Sequence, residues 1–204
     1  MWLPLNPPRY WTPAWAGPLY VAEGRTLQTV RGTFRVPIPQ KHAPIGAQVD
    51  VWAGLGGVGH PVNLCQAGVT LEQTAHGVVG WLFAWDYPHQ GHDVLGVQPG
   101  DVITVTAGWL GTRWGATATD RRTGQTVTLG CAAPRGGGWH VAEWVTENHV
   151  WNHAAPWLPT TAVWFRHMSL TRTRPGRGTW DRAWWPDTVT RFVRPETAEI
   201  RAAA

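Results

Sequence analysis

Apolar and polar positions alternate with a period of two along most of this chain. From Gln28 to Val36, the residues Val30, Gly32, Phe34 and Val36 fall on one side and Thr29, Arg31, Thr33 and Arg35 on the other, and Pro37 and Pro39 end the run. Val49, Val51 and Ala53 form the next apolar side and leave Trp52 on the opposite one. Cys65, Ala67, Val69 and Leu71 then oppose Gln66, Gly68 and Thr70, and Gly80 to Pro88 puts Trp81, Phe83, Trp85 and Tyr87 together. Further strands are expected over 102–107, 125–131, 142–147, 161–170 and 188–194, with turns at Pro99-Gly100-Asp101 and Thr123-Gly124. Strands repeating every ~8–12 residues between turn signals predict an all-β sandwich or barrel. Residues 1–14 read as an extended arm, 15–195 as one β-sandwich domain, and 196–204 as a tail, either a short helix or disordered.

Composition sharpens this picture. Among 204 residues there are 24 glycines and 17 prolines, a level that alone would suggest low complexity, but 43% of residues are hydrophobic and 16 are Trp. A disordered chain is poor in aromatics, so the composition describes a folded, turn-rich domain. So many indoles exceed the needs of one core, and some are expected to line a groove. The net charge of +4 comes from arginine, Lys41 being the only lysine, and eight arginines lie between Arg166 and Arg201 among Asp181, Asp187, Glu196 and Glu199. That mixture reads as a solvated surface, with no nucleic-acid module to give it another meaning. No apolar stretch approaches the ~18 residues of a membrane span, and the N-terminus has no recognisable signal peptide. Cys65 and Cys131 are expected as two buried thiols, with a single bridge between neighbouring strands as the alternative.

Several chemistries fall away on inspection. Gly54-Leu55-Gly56-Gly57-Val58-Gly59 has dinucleotide-motif spacing, but His60-Pro61-Val62 leads into a strand instead of the helix that would hold a pyrophosphate. Ser169 is the only serine and sits in no nucleophile elbow, and the seven aspartates show no paired duplication. The thiol of Cys65 points to the apolar side, where burial disfavours a thiolate. His149 with His153, and His89 with His92, have spacings seen in zinc sites, but neither pair lies in a segment that reads as helical, so no metal is expected. What remains is Gln66 on the polar side of one strand and Glu143, with Glu147, on one face of another. An amide and a carboxylate held across one sheet surface could act together in hydrolysis.

The ordered set of motifs resembles a known family, the glutamic peptidases or eqolisins. Trp15-Ala16-Gly17, Thr33-Phe34-Arg35-Val36-Pro37, Trp52-Ala53-Gly54-Leu55-Gly56-Gly57, Leu64-Cys65-Gln66-Ala67-Gly68, Trp85-Asp86-Tyr87-Pro88, Pro99-Gly100-Asp101, Thr123-Gly124-Gln125 and Ala142–Glu147 are similar to segments of that family, in the family's order. The resemblance implies two antiparallel sheets in a concanavalin A-like or jelly-roll sandwich, and an acid-acting, secreted endopeptidase without cofactor or metal. It assigns the catalytic pair to Gln66 and Glu147. Substrate contacts are expected from Trp52, Phe83, Trp85, Asp86 and Tyr87, with a polypeptide as partner, neither nucleic acid nor membrane, and a monomer. The chain departs from the family at Gly56, where the family has Asp, and at Trp85, where parity places the family's strand acid unless a bulge brings in Asp86. The other function considered is a carbohydrate-binding or glycan-cleaving sandwich with a Trp-lined cleft, which would use a pair of acids.

Overall fold

The computed structural model describes residues 10–11, 15–58, 63–148, 156–184, 188–194 and 197–202. Its strands are β1 (Tyr10–Trp11), β2 (Trp15–Ala22), β3 (Leu27–Arg35), β4 (Gln48–Gly56), β5 (Leu64–Thr74), β6 (Gly77–Tyr87), β7 (Gln90–Leu95), β8 (Val102–Trp109), β9 (Trp114–Asp120), β10 (Thr126–Gly130), β11 (Val141–Glu147), β12 (Val163–Arg172), β13 (Gly178–Trp184), β14 (Thr188–Arg194) and β15 (Thr197–Ala202). An eight-stranded sheet runs β1-β13-β2-β11-β4-β5-β6-β7 and a seven-stranded sheet runs β10-β9-β8-β3-β12-β15-β14. Pairing is antiparallel throughout except between β1 and β13. This is the two-sheet all-β sandwich expected from the alternation. Among the described residues no helix is long and apolar enough to cross a membrane.

Period-two alternation decides which residues meet between the sheets. Val49, Val51, Ala53 and Leu55 from β4, and Cys65, Ala67, Val69 and Leu71 from β5, pack against Val30 and Phe34 of β3 and Val105 and Ala107 of β8. Trp144 of β11 is fully buried there and donates its indole N–H to the Arg31 carbonyl at 2.8 Å, which satisfies the one polar atom the ring brings inside.

The cysteines form a disulfide instead of the two thiols expected. Both face the space between the sheets, and Cys131, just past β10, comes within bonding range of Cys65 on β5 with 5.9 Å between Cα atoms. The bridge ties the two sheets together and closes a separation of 66 residues. In the chain-entropy account a loop of that size is worth about 4 kcal/mol. Replacing both cysteines by Ala should therefore lower the melting temperature by roughly 8 °C or more, read by thermal circular dichroism.

Two boundary expectations change. Tyr10 and Trp11, placed in the arm, pair with Ala183 and Trp184. Thr197–Ala202, placed in the tail, is β15 and pairs with both β12 and β14. Thr/Ala/Glu/Ile/Arg is a weak strand signal in sequence, and pairing on both sides supplies what local propensity does not.

Candidate active site

Residues directly opposite one another on neighbouring strands share a face, so register alone builds the outer surface of the eight-stranded sheet. One row runs Leu19, Glu143, Gly54, Gln66, Trp85, Gly91. The next runs Val145, Trp52, Gly68, Phe83, Asp93, and the third Trp15, Glu147, Asp50, Thr70, Trp81, Leu95. Gln66 and Glu143 thus stand in the same row with only Gly54 between them. Two strand spacings put their Cα atoms about 10 Å apart, a span that two long side chains and one water can bridge. Glu147 lies four residues further along β11, so its Cα is about 16 Å from that of Gln66. The register therefore puts Glu143, not Glu147, across from Gln66. The sequence motif holds both glutamates on one face, and only cross-strand pairing separates them.

Gly54 has a specific part in this row. A Cβ there would come within 3.0 Å of the Cys65 carbonyl oxygen, the Gln66 Cβ and the Leu64 side chain, so glycine at this position lets Gln66 keep its place in the row. Gly54→Ala should lower kcat/KM by about 10², since displacements near 1 Å at a reacting centre cost that much, with the fold checked by circular dichroism.

Burial shapes the chemistry of the row. Glu143 is fully buried, and neither carboxyl oxygen has a hydrogen-bond partner in the described structure. Its pKa is raised well above the ordinary glutamate value, first by burial and then by the nearby charge of Glu147. Gln66 is also buried, with its Oε1 unpartnered. Gly57, at φ 74°, closes over the acid: a Cβ there would lie 2.9 Å from Glu143 Oε1 and 2.9 Å from the Trp15 ring. Glu147 accepts the Trp52 indole N–H at 2.8 Å, and Asp50 stands directly across from it on β4. The outer faces of β4 and β11 thus gather three carboxylates, and β4, β5, β6 and β11 present no Lys or Arg there. Asp50 was missed in the sequence, although its parity with Trp52 and Gly54 was readable.

The expected substrate contacts divide. Trp85 and Tyr87 are partly exposed on this face, and Phe83 is buried as its floor. Trp85 lies over Gly91, where a Cβ would meet the ring at 2.4 Å, and its indole donates to Asp93 at 3.2 Å. Trp52 belongs to the right face but is fully buried, with Trp15 edge-on to it at 5.1 Å between centroids. It supports the carboxylate row from beneath and does not line the groove. Asp86 is on the opposite layer. No bulge interrupts the pairing of β5 with β6, so parity holds; Asp86 pairs with Cys65, faces the core side, and accepts the Ala132 backbone N–H at 3.1 Å. Gly56 cannot carry the aspartate of the resembled motif: its φ is 106°, and a Cβ would meet the Asn63 carbonyl at 2.1 Å and the Trp139 ring at 2.5 Å. His149 and His153 lie outside the described residues.

Comparison with known proteins gives the same fold. No curated protein matches the chain. Among solved structures, scytalido-glutamic peptidase bound to a peptide-based transition-state analogue superposes with a TM-score of 0.72 at 19% identity, over 93% of this chain and 98% of that one. SCP-B, an eqolisin in complex with the tripeptide Ala-Ile-His, gives 0.69 at 18% identity over 93% and 98%. Aspergilloglutamic peptidase from Aspergillus niger gives 0.61 at 20% identity over 77% and 99%. These likenesses establish the shared fold. Residues 13–190 match the Peptidase A4 family, and the chain accordingly belongs to that family, the glutamic peptidases, and is a glutamic endopeptidase.

Proposed function

We propose that the chain cleaves polypeptides at acidic pH with Gln66 and Glu147 as the reacting pair. The observation that carries this is the partly exposed carboxylate of Glu147, held by the Trp52 indole N–H on the same sheet face as Gln66, while Glu143 beside it is fully buried. A water between the amide and the acid gives its proton to ionised Glu147 as it attacks the scissile carbonyl. The Gln66 Nε2–H donates to the oxyanion that forms, and protonated Glu147 then delivers its proton to the leaving nitrogen. A carboxamide does not ionise, so it keeps donating when the surrounding acids are protonated.

Acid action is supported by the company of that pair. Asp50 and Glu147 oppose each other across β4 and β11, and like charges in that position destabilise a sheet. The raised pKa of the buried Glu143 favours the folded protein at low pH. Over the window between the ordinary glutamate value and the raised one, the folded chain holds a proton that the unfolded chain has lost, so stability falls as pH rises through it.

Substrate side chains are read as packing on Trp85 and Tyr87 over the floor of Phe83. A disulfide fits an extracellular protein, since reducing compartments do not keep such bonds. The test is incubation with a denatured protein at pH 3–6 for the wild type, Gln66→Ala, Glu143→Gln and Glu147→Gln. The proposal requires loss of cleavage in Gln66→Ala and Glu147→Gln and its survival in Glu143→Gln.

A further inference from the structure

Arg35 of β3 and Arg166 of β12 meet on the sheet opposite the peptidase groove. A cavity of about 320 Å³ opens on the outer face of the seven-stranded sheet, lined in part by Arg35, Arg121, Trp164, Arg166 and His167. Its cations come from different parts of the chain. Arg121 follows β9 and bonds by its N–H to the Val102 carbonyl, Val102 pairs with Arg35, and continuing the β3–β12 register brings Arg35 opposite Trp164. Arg121, Arg35 and the Trp164 indole therefore stand in one row across the sheet.

A local irregularity completes the site. The β3–β12 register slips between Arg166 and Ser169, and His167 there has φ 51°, which a non-glycine residue adopts only under strain. Bulges re-aim side chains. Successive residues of a regular strand face opposite sides, yet Arg166 and His167 are both exposed and line the same cavity. Trp164 is 38% exposed, large for an indole with no catalytic task. Among the described side chains no carboxylate pairs with Arg35, Arg121 or Arg166. The neighbouring Asp101 and Asp120 are taken up by Arg122, and Glu199 stands beside Trp164 in the register of β15.

We propose that this cavity binds an acidic oligosaccharide, with one sugar ring on the Trp164 indole and its carboxylate held by Arg35 and Arg166. Guanidinium groups match carboxylates in a two-pronged geometry, and an indole offers an apolar plane to the C–H face of a pyranose. The surface beyond the cavity distinguishes a glycan from a nucleic acid. Single strands need successive aromatic platforms. Here the one indole is followed by hydroxyls: Thr33, Thr104, Thr119 and Thr126 form one cross-strand row, joined at its outer end by the Thr119–Thr126 bond of 2.9 Å. Threonine hydroxyls suit sugar hydroxyls and offer bases nothing to stack on. The site works independently of the catalytic row and would hold the enzyme on an acidic polysaccharide while it cleaves protein.

The experiment is calorimetric titration of the full chain with tetragalacturonate at pH 5, with its methyl-esterified, uncharged counterpart and with an oligothymidylate as comparison probes. Peptidase activity on a short peptide and circular dichroism confirm the fold of every variant. Binding of the acidic sugar is expected, weakened roughly tenfold by Trp164→Ala and by Arg35→Gln/Arg166→Gln, with the ester binding at least about tenfold more weakly. Absence of binding overturns the proposal. So does binding that Trp164→Ala leaves unchanged, which would mean diffuse charge attraction, and so does tighter binding of the oligothymidylate.

Discussion

Glu143→Gln should make the folded protein more stable at neutral pH and leave peptide cleavage in place. Glu143 is buried without a partner and faces the charge of Glu147, so its ionised form is disfavoured in the fold. Above the ordinary glutamate pKa of about 4.3 the folded state either keeps the proton or bears a buried charge, and either way it loses stability against an unfolded chain that ionises freely. Glutamine has the same shape and no proton to lose, so melting temperatures of variant and wild type should coincide near pH 4 and separate in favour of the variant toward pH 7. Glu147→Gln provides the contrast. Its activity should fall by at least about 10³, because one group serves as base and then as acid. A Glu143→Gln enzyme that is dead beside an active Glu147→Gln enzyme would reverse the assignment.

The sequence was legible where burial is one-sided. β3, β4, β5 and β6 were found within a few residues because their core faces alternate cleanly with polar or aromatic ones. The missed strands lack that contrast. β2 is buried along almost its whole length and contains Pro18, and β7 is exposed along almost all of its own. β9 alternates only Ala with Thr, a weak signal until its pairing with β8 and β10 is seen.

The same limit governs the site. Parity placed Gln66, Phe83, Trp85, Glu143 and Glu147 on one face, and parity is local information. Distinguishing two glutamates four residues apart requires knowing that Glu143 lies buried beyond Gly54 while Glu147 is partly exposed, facts set by strand pairings far apart in sequence. The disulfide was misjudged for a related reason: Cys65 and Cys131 belong to different sheets, and strand patterns contain nothing about how two sheets superpose. Trp52 shows that facing outward is not the same as being accessible, because Trp15 covers it.

Gln66→Ala should lower kcat by about 10²–10³ with KM little changed, the loss typical of one donor to a developing oxyanion, about 3–4 kcal/mol. A polar residue merely decorating a strand would show no such loss. Gln66→Glu tests the donor more strictly, because it keeps the shape and makes donation depend on pH. A glutamic acid at this position can donate only while protonated, and it would stand one glycine away from Glu143 in the row that already faces Asp50 and Glu147. Below the pKa values of the new pair the variant should retain measurable cleavage. As pH rises, the new group ionises, donation ends and like charges face each other across Gly54, so activity should collapse at a lower pH than in the wild type. Rate profiles of wild type, Gln66→Ala and Gln66→Glu on one short peptide, each with a parallel melting curve, separate the two roles. A Gln66→Glu profile that follows the wild type across the whole range would show that the amide donates nothing to the transition state.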